Sequence, residues 1–318
     1  MAKESKVTFL VWSVKESTLG KYMQQDGADI RSVYYGAGSK VINVLRMLWF
    51  KFKLPKKIWF DKSLKDIKGI IVVFDAMIVE ECLKWIIESN PEAKVIFLYW
   101  NPIKISKPDI AAVKNMKCEI WSYGQEQCSI YNVKQNAPFY CKSMYKSAQK
   151  YAKQDKEYDI IFCGRDRGRL EYINSLMTQK YWKDLKWNLY ISPDHFWLIF
   201  KNKIYKMFLP YDKILCRQVK SKAVLELVPF GLKEKETTMR TIDALYMKQK
   251  LITNNTNVIN LDYYDKNNIF VIGVDNEREL KRFLDMPFQP VSEEVWKELS
   301  LEKWTERFVN DEPLNKIK

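Results

Sequence analysis

Residues 222–273, KAVLELVPFGLKEKETTMRTIDALYMKQKLITNNTNVINLDYYDKNNIFVIG, decide the fold. The apolar runs at 223–228 and 269–272 predict strands. Between them, Met239, Ile242, Leu245 and Tyr246 recur at the spacing of one helical face. The segment therefore predicts strand, glycine-bearing loop, helix, short strand, loop and strand, which is an α/β unit with the N-terminus of its helix directed toward the loop.

The start of that helix predicts an anion site. Thr237 and Thr238 are favourable N-cap residues, and the free amides of the first turn favour a phosphate group there. Arg240 can bind the same anion through two hydrogen bonds. Asp243, one turn further on, places a carboxylate where a sugar diol next to the phosphate can be bound. This order of groups predicts a pocket for a nucleotide diphosphate.

A second segment, residues 157–169, reads EYDIIFCGRDRGR and predicts a strand followed by a cationic loop. Gly164 and Gly168 permit close approach of a ligand to the backbone, and Arg165, Arg167 and Arg169 supply positive charge for a diphosphate. The alternative is an ordinary surface loop, but the second anion site at Thr238 favours a binding role.

The segments TMRTIDAL (238–245) and KQKLITNN (248–255) resemble the donor-binding domain of GT-B glycosyltransferases. The resemblance is to bacterial enzymes that assemble capsular, O-antigen or exopolysaccharide chains. Their helix carries T-x-R-x-x-E-A-L, followed by K-K-L-I-T-x-N. Asp243 stands here where that family usually has Glu, and the resemblance covers roughly the second half of the chain.

The resemblance implies an α/β protein with two Rossmann-like domains that face a cleft and a C-terminal helix that crosses back to the first domain. Residues 1–150 are then the acceptor-side domain and residues 151–290 the donor-binding domain. Residues 291–318 form the crossover helix, for which Trp304 and Phe308 are suitable packing residues.

The resemblance also implies transfer of a sugar from a nucleotide donor, UDP favoured, to a lipid-linked or oligosaccharide acceptor. The donor is held by a set of residues in the second half: Gly164, Arg167, Arg169, Thr238, Arg240 and Asp243. Within that set, the arginines contact the diphosphate and the acid binds the ribose. Because cations can stabilise the leaving diphosphate, we expect neither a metal nor another cofactor.

The first half of the chain alternates strands and helices, which predicts a parallel, doubly wound sheet. Strands are predicted at 6–12, 57–60, 69–74, 94–100 and 118–121, and helices at 77–88 and 106–115. Ligands gather at the carboxyl ends of such strands. Asp75 is therefore a candidate general base, or alternatively a helix N-cap before Met77, and Asn101 can hydrogen-bond a sugar at the same edge.

Gly36 and Gly38 precede a helix that runs through Val41, Val44 and Leu45. Two glycines before a helix N-terminus can cradle a phosphate on the acceptor side. Simple turn chemistry is the alternative interpretation.

Composition limits the classes of protein and partner. The chain has 318 residues, which predicts two domains, and 47% hydrophobic residues, which excludes a disordered chain. Its six cysteines include no C-x-x-C pair and its one histidine excludes a histidine triad. The formal net charge of +14 implies a negatively charged partner.

Residues 40–68 contain nine lysine and arginine residues with aromatic residues between them. A surface of this composition suits binding to an anionic membrane. The alternative is that Trp49, Phe52 and Trp59 belong to the core and that the lysines form a solvated face. With no run of apolar residues long enough to span a bilayer, we expect a cytoplasmic protein that is peripheral on the inner face of the plasma membrane. Homo-oligomers and association with a partner transferase both stay open.

The sequence leaves two alternatives to a glycosyltransferase. One is a non-catalytic, transferase-like accessory subunit. The other is a nucleic-acid-binding protein, which rests on charge alone. Nucleic acid is not an expected partner, because no RRM, KH or helix-turn-helix signature accompanies the basic residues.

The hydrophobic pattern fades between 121 and 159, which predicts a linker, and 292–308 predicts one capped amphipathic helix.

Overall fold

A computed structural model describes residues 6–152, 155–195, 197–207, 209–228 and 238–314, apart from the side chains at 147 and 201. Thr237, one of the predicted N-cap residues, lies outside the described residues. The chain forms two compact units, one running to Ala137 and continuing from Ser300, the other comprising Pro138–Leu299. The division thus falls after Ala137, whereas the sequence placed it after residue 150.

The first unit is built on a parallel sheet, which has six strands within the described residues and the order β2-β1-β3-β4-β5-β6. The strands are β1 (Val7–Val11), β2 (Asp29–Ser32), β3 (Ile70–Phe74), β4 (Lys94–Tyr99), β5 (Glu119–Ser122) and β6 (Lys134–Gln135). Strands β1 and β3 are buried along their whole length, because helices cover both faces of a parallel sheet.

The helices of this unit are α1 (Thr18–Gln25), α2 (Lys40–Lys51), α3 (Glu80–Ser89), α4 (Ile110–Lys114) and α5 (Gln125–Tyr131), together with the C-terminal helix α13 (Leu301–Asn310). Trp304 of α13 stacks on Phe9 with ring centroids 5.4 Å apart, and Phe308 meets Trp121 at 5.0 Å. Asn136 Nδ2 donates a hydrogen bond to the carbonyl oxygen of Trp304 at 3.1 Å. The two aromatic residues singled out in the sequence therefore lie in the core of the first unit.

The second unit has a parallel sheet with the order β11-β10-β9-β7-β8. Its strands are β7 (Tyr158–Arg165), β8 (Trp187–Ser192), β9 (Ser221–Glu226), β10 (Lys250–Thr253) and β11 (Ile269–Val271). Its helices are α6 (Lys142–Ala152), α7 (Arg169–Thr178), α8 (Leu198–Lys201), α9 (Tyr211–Gln218), α10 (Met239–Tyr246), α11 (Leu280–Asp285) and α12 (Glu293–Glu298). The carboxyl ends of β7 and β9 lie at one edge of this sheet, which brings the two predicted anion-binding segments together.

Several local predictions were wrong. The predicted strand at 57–60 is a 3-10 helix, Lys56–Trp59, which follows Pro55. The helix predicted at 106–115 shortens to α4, because Pro108 cannot lie in a helix interior and Asp109 caps the next turn by accepting from Ala111 N.

The segment interpreted as a linker is structured, since it contains α5, β6 and α6. The single helix predicted at 292–308 is two helices, because Ser300 caps α13 by accepting a hydrogen bond from Lys303 N. Among the described residues, no helix is both long enough and apolar enough to cross a bilayer.

Trp304→Ala tests whether α13 is part of the first core. Trp304 is fully buried and also lies 4.8 Å from Phe308, so we expect the truncation to lower the free energy of unfolding by about 3 to 5 kcal/mol. Urea unfolding measures this change. Trp197→Ala is the control, because that side chain is 57% exposed and its loss should change stability by about 0.5 kcal/mol or less. Equal effects of the two substitutions would contradict the packing role.

Candidate functional site

The carboxyl end of β7 is where Arg240 of α10 lies against the backbone of the sheet. Arg240 Nη2 donates to the carbonyl oxygen of Cys163 at 2.8 Å. A Cβ atom at Gly164 would lie 2.7 Å from that same nitrogen. Glycine at 164 therefore makes room for the guanidinium of Arg240, which is the close approach that the sequence predicted for a ligand.

Arg169, at the start of α7, brings a second guanidinium to the same place. It is only 7% exposed, and its Nη1 donates to the carbonyl oxygen of Arg165 at 2.9 Å. The guanidinium carbons of Arg169 and Arg240 lie 6.0 Å and 5.8 Å from the ring centroid of Phe162. The buried Nε of Arg169 finds no hydrogen-bond partner within the described part of the chain.

Electrostatics at this cluster favour an anion. Burial, together with the positive charges of Arg240 and Arg167, lowers the pKa of Arg169 to about 10. The group is still a cation at neutral pH, so the fold holds a buried charge among like charges. An unpaired buried donor and mutual repulsion are both relieved when an anion with several oxygens binds. We call Arg167, Arg169 and Arg240 the arginine cluster.

The loop that carries Arg167 and Arg169 is held in place at both ends. Arg167 and Gly168 have φ angles of 45° and 78°, the left-handed region in which glycine is favoured. Asp194 accepts a hydrogen bond from Arg167 N at 3.0 Å. Asp166 accepts from Leu170 N at 2.9 Å, which ties the loop to the first turn of α7. The side chain of Arg167 is exposed, so it can move onto a ligand.

Thr238 is the N-cap of α10, as predicted, and the phosphate contact at this helix start stays a prediction. Its hydroxyl accepts from Arg240 N at 3.1 Å, as an N-cap does, and donates to Glu226 Oε1 at 2.5 Å. Glu226 is fully buried at the end of β9 and also accepts from the hydroxyls of Thr241 and Thr253, at 3.1 Å and 2.7 Å. The carboxylate of Glu226 thus lies at the start of α10, and an anion is better held by the arginine cluster.

Sequence reasoning missed Glu226. The signal was an acidic residue inside the apolar run 223–228, where a charge is buried only if other groups satisfy it. The hydroxyls of three threonines donate hydrogen bonds to the Glu226 carboxylate and so satisfy it. The negative charge of Glu226 also raises the pKa of Arg169, which partly offsets the effect of the neighbouring cations. Glu226 is therefore the counter-charge of the arginine cluster.

Asp243 is enclosed by protein groups. It is 1% exposed, and its carboxylate accepts hydrogen bonds from the hydroxyls of Tyr145, at 2.7 Å, and Tyr211. Burial raises the pKa of Asp243 to about 6, although both tyrosine hydrogen bonds and Arg240 oppose the rise. Asp243 thus joins α10 to α6 and α9, and its contact with a ribose stays a prediction.

Asp75 and Asn101 lie together at the carboxyl edge of the first sheet, as predicted, but they are bonded to each other. Asp75 accepts from Trp100 N at 3.1 Å, from Asn101 Nδ2 at 3.2 Å and from Ser106 Oγ at 2.6 Å. It is 3% exposed, and burial raises its pKa. This arrangement joins two strand ends through Asp75. The next helix is capped at Val79, so the N-cap alternative is wrong, and the general-base role stays a prediction.

The Gly36–Gly38 loop is packed against the end of β1. Gly36 has a φ of 64°, Ser13 Oγ donates to the carbonyl oxygen of Ala37 at 2.6 Å, and the side chain of Lys15 occupies the space that a Cβ at Gly38 would need. Glu16 is exposed at the same edge and accepts from Asn43 Nδ2 at 2.5 Å. Lys15 and Glu16 are charged groups near the predicted acceptor-side loop that the sequence reasoning did not identify.

Comparisons with known proteins bear on the fold. No protein-family model and no curated protein matches the chain. Among solved structures it is similar to the N-terminal domain of trehalose-6-phosphate phosphatase from Candida albicans, with 12% identity over 97% of this chain and 96% of that one and a TM-score of 0.52. It is also similar to a DNA-modifying β-glucosyltransferase studied with and without uridine diphosphoglucose, with 13% identity, 96% and 94% coverage and a TM-score of 0.50.

At these identities the likeness concerns architecture. With the two parallel sheets, it confirms the predicted α/β class of two Rossmann-like domains of the GT-B type. Among the described residues, no group of His, Cys, Asp and Glu side chains is arranged to hold a metal ion. Independence from metals stays a prediction.

The buried carboxyl of Asp243 predicts a pH dependence of stability. Its pKa is higher in the folded chain than the ordinary value of 3.8, so folding favours the protonated form. Its contribution to stability is complete below about pH 4 and is lost as the pH rises through about 6, for a total of about 3 kcal/mol. Asp243→Asn removes the titration, so the stability of the wild type relative to this variant should fall over that range in urea unfolding.

Asp159 is a control of opposite sign in the same unit. Burial would raise its pKa, but hydrogen bonding from Lys186 N at 2.9 Å and the ion pair with Lys222 at 3.1 Å hold it below the usual value. Its contribution is present above its ordinary pKa and is lost as the pH falls. Asp159→Asn should therefore give a difference of opposite slope at lower pH, and equal slopes for both variants would contradict the account of Asp243.

Proposed function

We propose that the chain is a glycosyltransferase that binds a nucleotide-diphosphate sugar through the arginine cluster. The observation that carries this proposal is the buried guanidinium of Arg169, whose Nε has no hydrogen-bond partner in the described residues and which lies close to Arg167 and Arg240. A diphosphate supplies several anionic oxygens to such a cluster, and arginine binds phosphate through two hydrogen bonds at a time.

The chemistry assigned to the cluster is stabilisation of a leaving group. In the transfer, the bond between the anomeric carbon and the diphosphate oxygen breaks, and the acceptor hydroxyl oxygen bonds to that carbon. The departing diphosphate takes the electron pair, so negative charge develops on the group that the arginine cluster would bind. Both guanidinium groups are anchored to backbone carbonyls, so little reorganisation accompanies the reaction. A UDP-sugar is the favoured donor, by the family resemblance and by the uridine diphosphoglucose of the similar β-glucosyltransferase.

The acceptor side is assigned to the first unit. We propose a lipid-linked or oligosaccharide acceptor of bacterial capsule, O-antigen or exopolysaccharide synthesis, met by an enzyme peripheral on the inner face of the plasma membrane. The loop of Gly36 and Gly38 is kept in this proposal as a contact region. Because Asp75 is buried and Asn101 is bonded to it, Glu16 is the better candidate to accept the proton of the acceptor hydroxyl, being an exposed carboxylate at the same sheet edge.

A non-catalytic accessory subunit is the second candidate function. The observation in its favour is that both acids given chemical roles from the sequence, Asp75 and Asp243, are buried and hydrogen-bonded within the protein. Hydrolysis or transfer from UDP-sugars distinguishes the two functions. Turnover that is lost in Glu16→Gln supports the enzyme, whereas UDP binding without turnover of any nucleotide sugar supports the accessory subunit.

Arg169→Met tests the donor site and distinguishes binding from stability. Methionine keeps much of the side-chain volume, but it leaves the buried charge of Glu226 and the carbonyl oxygen of Arg165 with one partner fewer, so the unliganded variant should stay folded and unfold at a somewhat lower temperature than the wild type. Its affinity for UDP should fall about 10- to 100-fold, the loss of a charge-assisted hydrogen bond, while the affinity for uridine changes little. Thermal shift and calorimetric titration with both ligands measure these effects.

Arg282→Met is the matched control, because that side chain is 76% exposed in the same unit and pairs with Glu279 at 3.2 Å. It should leave UDP binding unchanged. A variant at Arg169 that loses UDP and uridine affinity equally would place the diphosphate elsewhere, and one that keeps UDP affinity would remove the basis of the proposal.

A further inference from the structure

Helix α2 buries two polar residues and half-buries Ile42, Trp49 and Phe50, while it leaves a set of aliphatic side chains exposed. Asn43 and Arg46 are its buried residues. Its exposed apolar side chains are Val41 (70% exposed), Val44 (56%), Leu45 (53%), Met47 (59%) and Leu48 (46%). An ordinary surface helix buries its aliphatic side chains, so for the aliphatic residues of α2 other than Ile42 the orientation is inverted.

Specific contacts fix the inverted orientation. Asn43 Nδ2 donates to Glu16 Oε1 at 2.5 Å and to the carbonyl oxygen of Ala37 at 3.2 Å. Arg46 Nη2 donates to Asn43 Oδ1 at 2.8 Å, and its guanidinium carbon lies 4.5 Å from the ring centroid of Tyr34. Rotating α2 to bury its aliphatic side chains would break all of these contacts. The apolar side therefore faces outward in the folded chain.

The outward apolar residues form a continuous line. Val41, Val44, Leu45 and Leu48 are spaced three or four residues apart, which places them on one helical face, and Phe52, 70% exposed, follows at the end of the helix. We call these five residues the outer stripe. Ile58 is also exposed nearby in sequence, at 59%. A contiguous exposed apolar surface of this kind marks an interaction site.

Within the segment that carries the outer stripe, the charge is of one sign. Between residues 40 and 60 the sequence contains no Asp or Glu. The exposed basic residues there are Lys40, Lys51, Lys53 and Lys57. An apolar line bordered by lysines is complementary to a surface with apolar depth and anionic groups above it.

The aromatic residues that the sequence offered as membrane contacts are mostly engaged within the protein. Trp49 and Trp59 pack against each other with centroids 6.2 Å apart, and Trp49 Nε1 donates to the carbonyl oxygen of Pro55 at 3.0 Å. Phe52 is the exception. The structure thus supports the core interpretation for Trp59, against which Trp49 packs, and the exposed apolar surface consists mainly of the aliphatic residues of α2.

We propose that the outer stripe docks on an anionic lipid bilayer, with its aliphatic side chains at the level of the acyl-chain boundary and the flanking lysines at the headgroup phosphates. A second copy of this chain fits less well. A symmetric dimer through α2 would place the same patch on both subunits and bring lysines against lysines with no acid in the segment to pair them. This inference names the surface for the membrane association in the proposed function, and its test needs no turnover, so it can fail while the donor site stands.

Vesicle sedimentation of the full chain tests the proposal. Vesicles of phosphatidylcholine mixed with phosphatidylglycerol should bind the protein at low salt and release much of it at high salt, whereas phosphatidylcholine alone should bind little. The double variant Leu45→Gln, Leu48→Gln should lower the partition coefficient roughly tenfold or more. Lys51→Gln and Lys53→Gln should each lower it about five-fold at low salt.

The matched control is Ile105→Gln, Ile130→Gln, which changes two aliphatic residues of similar exposure, 58% and 59%, elsewhere in the same unit. It should alter partitioning by less than about twofold. Circular dichroism and thermal unfolding confirm that each variant is folded. Equal binding to neutral and anionic vesicles would overturn the proposal, as would unchanged binding of the α2 double variant. A dimer in solution that this variant dissociates would assign the stripe to a second copy instead.

Discussion

The buried positive charge of Arg169 is the constraint on which the functional half of the chain depends. A guanidinium that is 7% exposed and lies close to two other arginines is unfavourable unless the fold compensates it. Part of the compensation is local: the carbonyl oxygen of Arg165 accepts from Nη1, and the ring of Phe162 lies beneath. The rest comes from the charge of Glu226, held by three threonine hydroxyls. This compensation is incomplete, and the remaining unpaired positive charge is the basis for proposing the cluster as the donor site.

The same constraint explains how the motif residues of α10 divide their roles. Thr238 fixes the start of the helix and joins it to Glu226, which sets the position from which Arg240 reaches Cys163. Asp243, on the next turn, fixes the other side of the helix to two tyrosines. Only Arg240 of these three directs a polar group toward the end of β7. The 238–245 motif therefore mainly positions the guanidinium of Arg240.

The sequence predicted what depends on strand order and local chemistry. Two glycine- and arginine-bearing segments each followed a predicted strand, and because the strands of a parallel sheet end at one edge, Gly164, Arg169 and Arg240 could be expected to meet. The alternation of strands and helices predicted the α/β class with two Rossmann-like domains, and the two parallel sheets confirm it. The partners of Asp243 could not be predicted, since Tyr145 and Tyr211 belong to helices distant in sequence, one of them inside the supposed linker. For α2, periodicity showed an apolar side, but only the contacts of Asn43 and Arg46 decide which side faces the core.

A crystal structure of the chain with UDP tests the central claim most directly. The account predicts a diphosphate oxygen within about 3 Å of Arg169 Nε, the hydrogen-bond distance for a charged pair, with Arg240 on the same diphosphate. It further predicts that Asp243 keeps both tyrosine partners in the complex. UDP bound with its diphosphate away from the arginine cluster, while Arg169 Nε stays without a partner, would contradict the account.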